Sequence, residues 1–103
     1  MNLGNLKGNF KGEFHDSKVM KTLYATDASA YREMPLAVAF PVNNHDIEIL
    51  IDFALKNNIT LIPRAAGTSL AGQVVGNGII VDISRTYNEI IEINQAQSWV
   101  RLQ

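Results

Sequence analysis

Residues 36–62, "LAVAFPVNNHDIEILIDFALKNNITLI", decide the fold. They begin with a five-residue apolar run, 36–40, which lies between Pro35 and Pro41 and is typical of a buried strand. They end with a second short run, 59–62, that is rich in β-branched residues. Two such strands joined by a helix predict a βαβ unit, with parallel strands and a right-handed crossover.

The connecting helix is indicated by its caps and by the spacing of its apolar residues. Asn43 is a suitable N-cap, and Asp46 lies in the first turn, where the helix dipole favours a negative charge. Asn57 and Asn58 can end the helix in a left-handed conformation. The apolar stripe is wide enough that we expect much of the helix surface to be covered. Its members are Ile47, Leu50, Ile51, Ala54 and Leu55, with Ile49 and Phe53 at its margins.

Further strands are indicated downstream of this unit. Residues 78–84, "GIIVDIS", read as a third apolar strand, and 89–94 and 98–103 read as a later pair that forms a hairpin or a meander. Upstream, residues 15–24 predict a short helix, and the loop 25–35 follows it. The predicted fold class is α/β (α+β): a βαβ unit with short parallel strands, followed by antiparallel strands.

Composition excludes several classes of function. The 103 residues carry a net charge of −1, so nothing in the balance favours nucleic acid as a partner. There are no cysteines, which excludes a thiolate metal site, a disulfide framework and a cysteine nucleophile in this chain. His15 and His45 are isolated in sequence, so we expect surface residues and no metal site. No apolar run is long enough for a transmembrane segment, and we expect a cytoplasmic protein.

The glycine loop, which we define as residues 63–73, "PRAAGTSLAGQ", carries the functional hypothesis. Its small residues let successive backbone N–H groups turn toward one point, and such a nest binds an anion, most often phosphate. Thr68 and Ser69 add hydroxyl donors, and Arg64 adds a charged fork suited to phosphate oxygens. In open α/β sheets, ligands gather at the carboxyl ends of strands, which is where this loop begins.

Two familiar phosphate loops do not fit this segment. A Walker loop needs Lys and Ser or Thr after its last glycine, whereas Gln73 follows Gly72 here. A dinucleotide fingerprint opens a long helix, whereas this loop leads almost at once into the third strand. The loop is therefore expected to lie flat across the strand ends, a shape that suits an extended diphosphate. An ordinary connection between two strands remains open as the alternative.

Residues 24–94 resemble the FAD-binding domain of the vanillyl-alcohol oxidase / p-cresol methylhydroxylase type, and most closely its glycolate oxidase and D-lactate dehydrogenase branch. The resemblance rests on a strand ended by Pro41, on the Pro-Arg-Gly-x-Gly-Thr-Ser/Gly pattern at 63–69, and on the Gly-x-x-x-Asp strand at 78–82. The upstream "YATDASAY" is similar to large members of this branch. Ala65 departs from the pattern, because glycine is commonest there, and we expect it at negative φ.

The resemblance implies a set of cofactor-binding residues and no catalytic or metal-binding ones. The loop from Arg64 to Ser69 would hold the diphosphate, the residues to Gln73 would continue toward the flavin ring, and Asp82 would be structural. FAD would be bound without a covalent link from the loop, since the loop has no histidine or cysteine. The implied cofactor-binding residues are Pro41, Arg64, Ala65, Ala66, Gly67, Thr68, Ser69, Leu70, Gly72 and Gln73.

The resemblance also implies an enzyme. We expect the N-terminal piece of an FAD-dependent oxidoreductase that oxidises a 2-hydroxy acid such as D-lactate or glycolate, with the chain alone inactive. Residues 1–34 would be a lead-in, and residues 35–103 the first lobe of a two-lobed FAD-binding domain, truncated at its C-terminal end. An electron acceptor, placed at the inner membrane, and an iron–sulfur cluster would involve parts beyond this chain. The alternatives are a non-catalytic phosphate- or nucleotide-binding module, and a structural piece with no formed ligand site.

Several other residues have expected structural roles. Tyr24 and Tyr31 are expected to pack rather than to stack on a ligand. Asp27 and Ser29 are expected to hydrogen bond to loop backbone. Trp99 lies on the last predicted strand and is expected to be left exposed.

Overall fold

The computed structural model describes residue 6 and residues 8–103 as two helices and six strands. The first residues of the predicted lead-in, 1–5 and 7, lie outside the described residues. The elements are β1 (Glu13–His15), α1 (Lys18–Leu23), β2 (Ala37–Phe40), α2 (Asn44–Asn57), β3 (Leu61–Arg64), β4 (Ile79–Asp82), β5 (Ile90–Asn94) and β6 (Trp99–Leu102).

Four strands form one sheet in the order β1-β2-β4-β3. The pairs β2–β4 and β4–β3 are parallel, and β1 pairs antiparallel with β2. The predicted βαβ unit is confirmed in its parallel strands, but β4 lies between the two strands that α2 connects. Ile79 and Ile80 of this central strand are fully buried, as expected for a strand flanked on both edges.

The caps of α2 are those that the sequence predicts. Asn43 accepts a hydrogen bond from the N–H of Asp46 through its side chain, and Asn58 ends the helix at a left-handed φ of 53°. The predicted breadth of the buried stripe is wrong, because Ile51 and Leu55 are 45% and 75% exposed. Only the side that meets the sheet is covered, and its buried residues are Asp46, Leu50, Phe53 and Ala54.

The sheet is covered on both faces, and the alternation of side chains along β2 assigns each residue to a face. Ala37 and Ala39 pack with Leu50 and Phe53 of α2. The alternate residues of β2 and β4 pack on the other face with Met20 of α1 and with Tyr24. The N-cap of helix α1 is Ser17, whose hydroxyl accepts from the N–H of Met20. None of the described helices is both long and apolar enough to cross a membrane.

A buried carboxylate ties the lead-in to the start of α2. Asp46 has no exposed surface, and its carboxylate accepts three backbone hydrogen bonds. The donors are the N–H groups of Lys11 at 2.8 Å, Gly12 at 2.9 Å and Val42 at 3.0 Å. Gly12 lies so close to β2 that an added Cβ would stand 2.0 Å from the carbonyl oxygen of Phe40.

Strand β3 forms one edge of the sheet, and its third residue is Pro63. The carbonyls of Thr60 and Arg64 accept from the N–H groups of Ile79 and Ile83, so even-numbered positions of β3 face β4. Pro63 therefore lies at a position that faces away from the sheet, where the missing N–H breaks no ladder bond.

Strands β5 and β6 form a separate two-stranded hairpin, which resolves the choice between a hairpin and a meander. One face is polar: Glu92 and Arg101 form an ion pair at 3.5 Å, and the guanidinium lies 5.3 Å from the ring centre of Trp99. The other face is apolar, and every residue on it is at least half exposed. By the pairing register this face comprises Ile90, Ile93, Val100 and Leu102.

Candidate functional site

The glycine loop leaves the carboxyl edge of three parallel strands. There β2 ends before Pro41, β4 ends at Asp82 and β3 ends at Arg64. The chain crosses this edge between β3 and β4 without forming a helix, as predicted. The loop therefore lies where open α/β sheets place their ligands.

The backbone of the loop is turned by two glycines and keeps most of its donors free. Gly67 and Gly72 both have φ of +69°, in the left-handed region that favours glycine. Within the described part of the chain, the N–H groups of residues 65–70 and 72 donate no hydrogen bond. Of these residues, Ala65, Ala66, Thr68 and Leu70 are exposed, and Gly67, Ser69 and Gly72 are half-buried.

The two hydroxyl groups of the loop differ in their availability. Ser69 Oγ accepts from the N–H groups of Ala71 at 3.3 Å and Gln73 at 3.2 Å, and it donates to Gln73 Oε1 at 3.1 Å. In this conformation Ser69 therefore stabilises the turn instead of facing a ligand. Thr68 is exposed and makes no side-chain hydrogen bond among the described residues.

The side chain of Arg64 folds back along the loop. Its Nη1 donates to the carbonyl oxygen of Thr26 at 2.8 Å, and its guanidinium carbon lies 4.9 Å from the ring centre of Tyr24. A Cβ added to Gly67 would stand 2.5 Å from its Nη2, so the guanidinium packs directly against the loop backbone. The sequence predicted a charge near the loop but not these partners.

Tyr24 and Asp82 form a hydrogen-bonded pair beneath Arg64. The Tyr24 hydroxyl donates to Asp82 Oδ2 at 2.5 Å, and the N–H and hydroxyl of Ser84 donate to Oδ1 at 2.8 and 2.6 Å. Burial would raise the pKa of Asp82, but the hydrogen bonds from Ser84 and Tyr24 prevail and lower it. Burial and the neighbouring carboxylate raise the pKa of Tyr24 to about 12.

The segment 24–31 lies alongside the glycine loop. The N–H of Ala28 donates to the carbonyl of Gly67 at 3.1 Å, and the ring of Tyr31 packs against Gly72. Asp27 accepts from the N–H of Ser29 at 2.8 Å and from its hydroxyl, which matches the expected turn. The Ser29 hydroxyl lowers the pKa of Asp27, with smaller contributions from backbone N–H groups and from the charge of Arg64.

The predicted site residues lie at one edge of the sheet but differ in their exposure to solvent. The residues from Arg64 to Gln73 are consecutive in one loop and are all exposed or half-buried, with Leu70 82% exposed. Pro41 lies at the same edge of the sheet but is fully buried. Sequence reasoning treated Tyr24 as a packing residue and missed its bond to Asp82, because 58 residues separate the two and no local pattern signals the pair.

Comparison with known proteins places the domain in a family. Residues 35–103 match a family model described as an FAD binding domain. The chain belongs to this FAD-binding domain family. The match confirms the resemblance drawn from the glycine loop.

Curated relatives of this FAD-binding domain are dehydrogenases by name. It is 37% identical over 97 residues to a D-2-hydroxyglutarate dehydrogenase of Pseudomonas putida and to one of Escherichia coli, covering 91% of this chain and 10% of each relative. It is 31% identical over 78 residues to a mitochondrial D-lactate dehydrogenase [cytochrome] of Kluyveromyces lactis, covering 72% of this chain and 14% of that one. The chain thus spans about a tenth of the length of the D-2-hydroxyglutarate dehydrogenases it matches.

Solved structures support the fold. An alkyldihydroxyacetonephosphate synthase superposes with a TM-score of 0.72 and 18% identity, covering 90% of this chain and 20% of that chain. The BBE-like 1 protein of Physcomitrella patens superposes with a TM-score of 0.72 and 16% identity, covering 93% of this chain and 21% of that chain. These likenesses confirm the mixed α/β fold class of this FAD-binding domain.

Proposed function

We propose that the glycine loop binds the diphosphate of FAD. The observation that carries this proposal is the run of N–H groups at residues 65–70 and 72, which donate to no acceptor among the described residues and lie at the carboxyl edge of three parallel strands. Backbone donors left free in a loop of small residues form the kind of concavity that binds phosphate oxygens. The family match to an FAD binding domain supports the nucleotide as the source of that phosphate.

The charges around the loop also support an anionic ligand. Arg64 supplies a positive charge against Gly67, and Thr68 supplies an exposed hydroxyl. Asp27 offsets part of this charge, since its carboxylate lies close enough to Arg64 for its pKa to be lowered. The proposed roles are that Arg64 to Ser69 hold the diphosphate, while the residues from Leu70 to Gln73 extend toward the flavin ring. The role of Pro41 stays a prediction, because the residue is buried.

We further infer that the chain serves a longer oxidoreductase that oxidises a D-2-hydroxy acid. The names of the relatives support this class, since 2-hydroxyglutarate and lactate are both 2-hydroxy acids. Bound FAD would accept a hydride from the carbon that bears the hydroxyl. The residues of this chain would bind and orient the cofactor, and none is assigned a proton-transfer step. The substrate, the electron acceptor, an iron–sulfur cluster and the cytoplasmic location stay predictions.

A chimera tests the proposed function. The segment of the Escherichia coli relative that aligns with this chain over 97 residues is replaced by the corresponding residues of this chain. We expect the purified chimera to be yellow and to release about one FAD per chain on denaturation. The Arg64→Ala chimera should retain FAD more weakly, by about 1.5–3 kcal/mol for one charge-assisted contact. A chimera that folds but ignores added FAD would contradict the proposal.

Titration of the 103-residue chain separates the alternatives. Calorimetry with pyrophosphate and with FAD shows whether the loop binds an anion without the rest of a flavin site. Binding of pyrophosphate with no preference for FAD, together with a colourless chimera, would favour a phosphate-binding module. Absence of binding to either ligand, together with a colourless chimera, would favour a structural piece.

A further inference from the structure

The guanidinium of Arg64 is held by neutral partners at the glycine loop. Its hydrogen bond goes to the carbonyl oxygen of Thr26, and its central carbon lies over the ring of Tyr24. Among the described residues, no carboxylate lies within the 4.0 Å of an ion pair with it. The positive charge is therefore oriented without a direct ion pair. Asp27 offsets only part of it, which leaves the rest available to an anion.

Tyr24 contacts both central strands of the sheet. Its hydroxyl donates to Asp82, which Ser84 holds in turn through two hydrogen bonds. Its ring also forms a T-shaped pair with the ring of Phe40 of β2, with the ring centres 5.9 Å apart. Tyr24, at the C-terminal end of α1, is thus attached to the two central strands of the sheet through Asp82 and Phe40.

We propose that Tyr24 is a positioning residue, which with Asp82 holds the guanidinium of Arg64 against Gly67 so that its charge is in place before an anion binds. A long, flexible arginine side chain otherwise loses rotamer freedom when a ligand arrives, and orientation in the free protein removes that cost from binding. The inference rests on the proposed function for the anion, but the orientation of Arg64 is a property of the free chain.

Nuclear magnetic resonance tests the orientation without a ligand. In the wild-type chain we expect the ring of Tyr24 to shift the Arg64 side-chain signals upfield and the guanidinium to rotate slowly about its Nε–Cζ bond. Tyr24→Phe keeps the ring and should keep the upfield shift, whereas Tyr24→Leu should lose both effects. Tyr87→Phe serves as the matched control, since Tyr87 bonds to Asn44 away from the loop. Unchanged Arg64 signals in Tyr24→Leu would overturn the positioning role.

A double-mutant cycle tests the consequence for binding. We expect Tyr24→Leu to weaken pyrophosphate binding about tenfold, the size of one charge-assisted contact, and Tyr87→Phe to leave it unchanged. In an Arg64→Ala background, Tyr24→Leu should cause no further loss, because Tyr24 acts through Arg64. Equal losses in both backgrounds would indicate a merely structural role and overturn the inference.

The failure of the inference and that of the proposed function are distinguishable. If the wild-type chain and the chimera bind neither pyrophosphate nor FAD, the proposed function fails, and the anion-binding part of this inference fails with it. The resonance experiment still decides whether Tyr24 orients Arg64. If Tyr24→Leu does not fold, Tyr24→Phe provides the test instead. Loss of the hydroxyl alone should speed rotation of the guanidinium while the ring stays in place.

Discussion

Replacement of Asp46 by alanine should strongly destabilise the chain. The carboxylate is fully buried and accepts hydrogen bonds from Lys11, Gly12 and Val42. It is the point at which the lead-in, the end of β2 and the start of α2 meet. Its removal leaves three donors without a partner and also removes a negative charge from the first turn of α2.

The expected loss of unfolding free energy follows from those three hydrogen bonds. A hydrogen bond to a charged group contributes about 1.5–3 kcal/mol, but such contacts to one carboxylate are not additive. Lys11 and Val42 are exposed residues, so their N–H groups can regain water, whereas Gly12 is half-buried. We therefore expect Asp46→Ala to lower the free energy of unfolding by about 2–4 kcal/mol. For a domain of this size that lowers Tm by at least about 8 °C.

Urea and thermal unfolding followed by circular dichroism measure this loss. Asp52→Ala is the matched control, because Asp52 is an exposed residue of the same helix, and its replacement should change stability by less than about 0.5 kcal/mol. Amide hydrogen exchange should also accelerate at Lys11 and Gly12 in Asp46→Ala. Equal, small effects of the two substitutions would show that the buried carboxylate does not hold the lead-in to the sheet.

Three further predictions concern close packing and titration. Gly12→Ala should lower the free energy of unfolding by at least about 2 kcal/mol, because the new Cβ meets the Phe40 carbonyl. Gly8 has open space around it, so Gly8→Ala should change the free energy of unfolding by less than about 0.5 kcal/mol in the same urea titration. Because the folded-state pKa of Tyr24 is raised from 10.0 to about 12, its stabilising contribution is complete below pH 10 and is lost as pH rises toward 12. Absorbance of tyrosinate should show this residue ionising near pH 12, and at a lower pH in Asp82→Asn, where burial still raises the pKa but the carboxylate no longer does. The pKa of Asp82 is lowered in the folded state, so its carboxylate stabilises the fold fully at pH values above its ordinary pKa of 3.8. This contribution is lost as pH falls through the folded-state pKa. The difference in stability between wild type and Asp82→Asn should therefore shrink in acid.

The sequence predicted helix ends well where the contacts that form them lie within a few residues of one another. The N-cap of α2 follows from the side chain of Asn43, which bonds three residues ahead, and its C-cap follows from the left-handed conformation that asparagine tolerates at Asn58. The insertion of β4 between the strands that α2 joins could not be predicted in this way, because the order of strands depends on contacts across the whole sheet. The exposure of Leu55 was missed for the same reason, since helical spacing does not show how far a partner surface extends.

The sequence predicted the backbone conformation of the candidate site but not the partners of its side chains. A run of small residues indicates where N–H groups stay free, and Gly67 and Gly72 adopt the left-handed conformation that only glycine adopts readily. The partners of Arg64 come from a segment 38 residues earlier in the chain, and the sequence carries no pattern that links the two. Ser69 illustrates the same limit, because a hydroxyl in a loop serves either a ligand or its own turn.

Pro63 has a consequence for the behaviour of the chain at high concentration. An outer strand whose amides point into solvent is a template on which another copy can add, and such growth leads to aggregation. Pro63 removes one of those outward donors from β3, so a strand docking there would find a gap in its hydrogen-bond ladder. The residue that opens the glycine loop thus also keeps this side of the sheet from recruiting a neighbour.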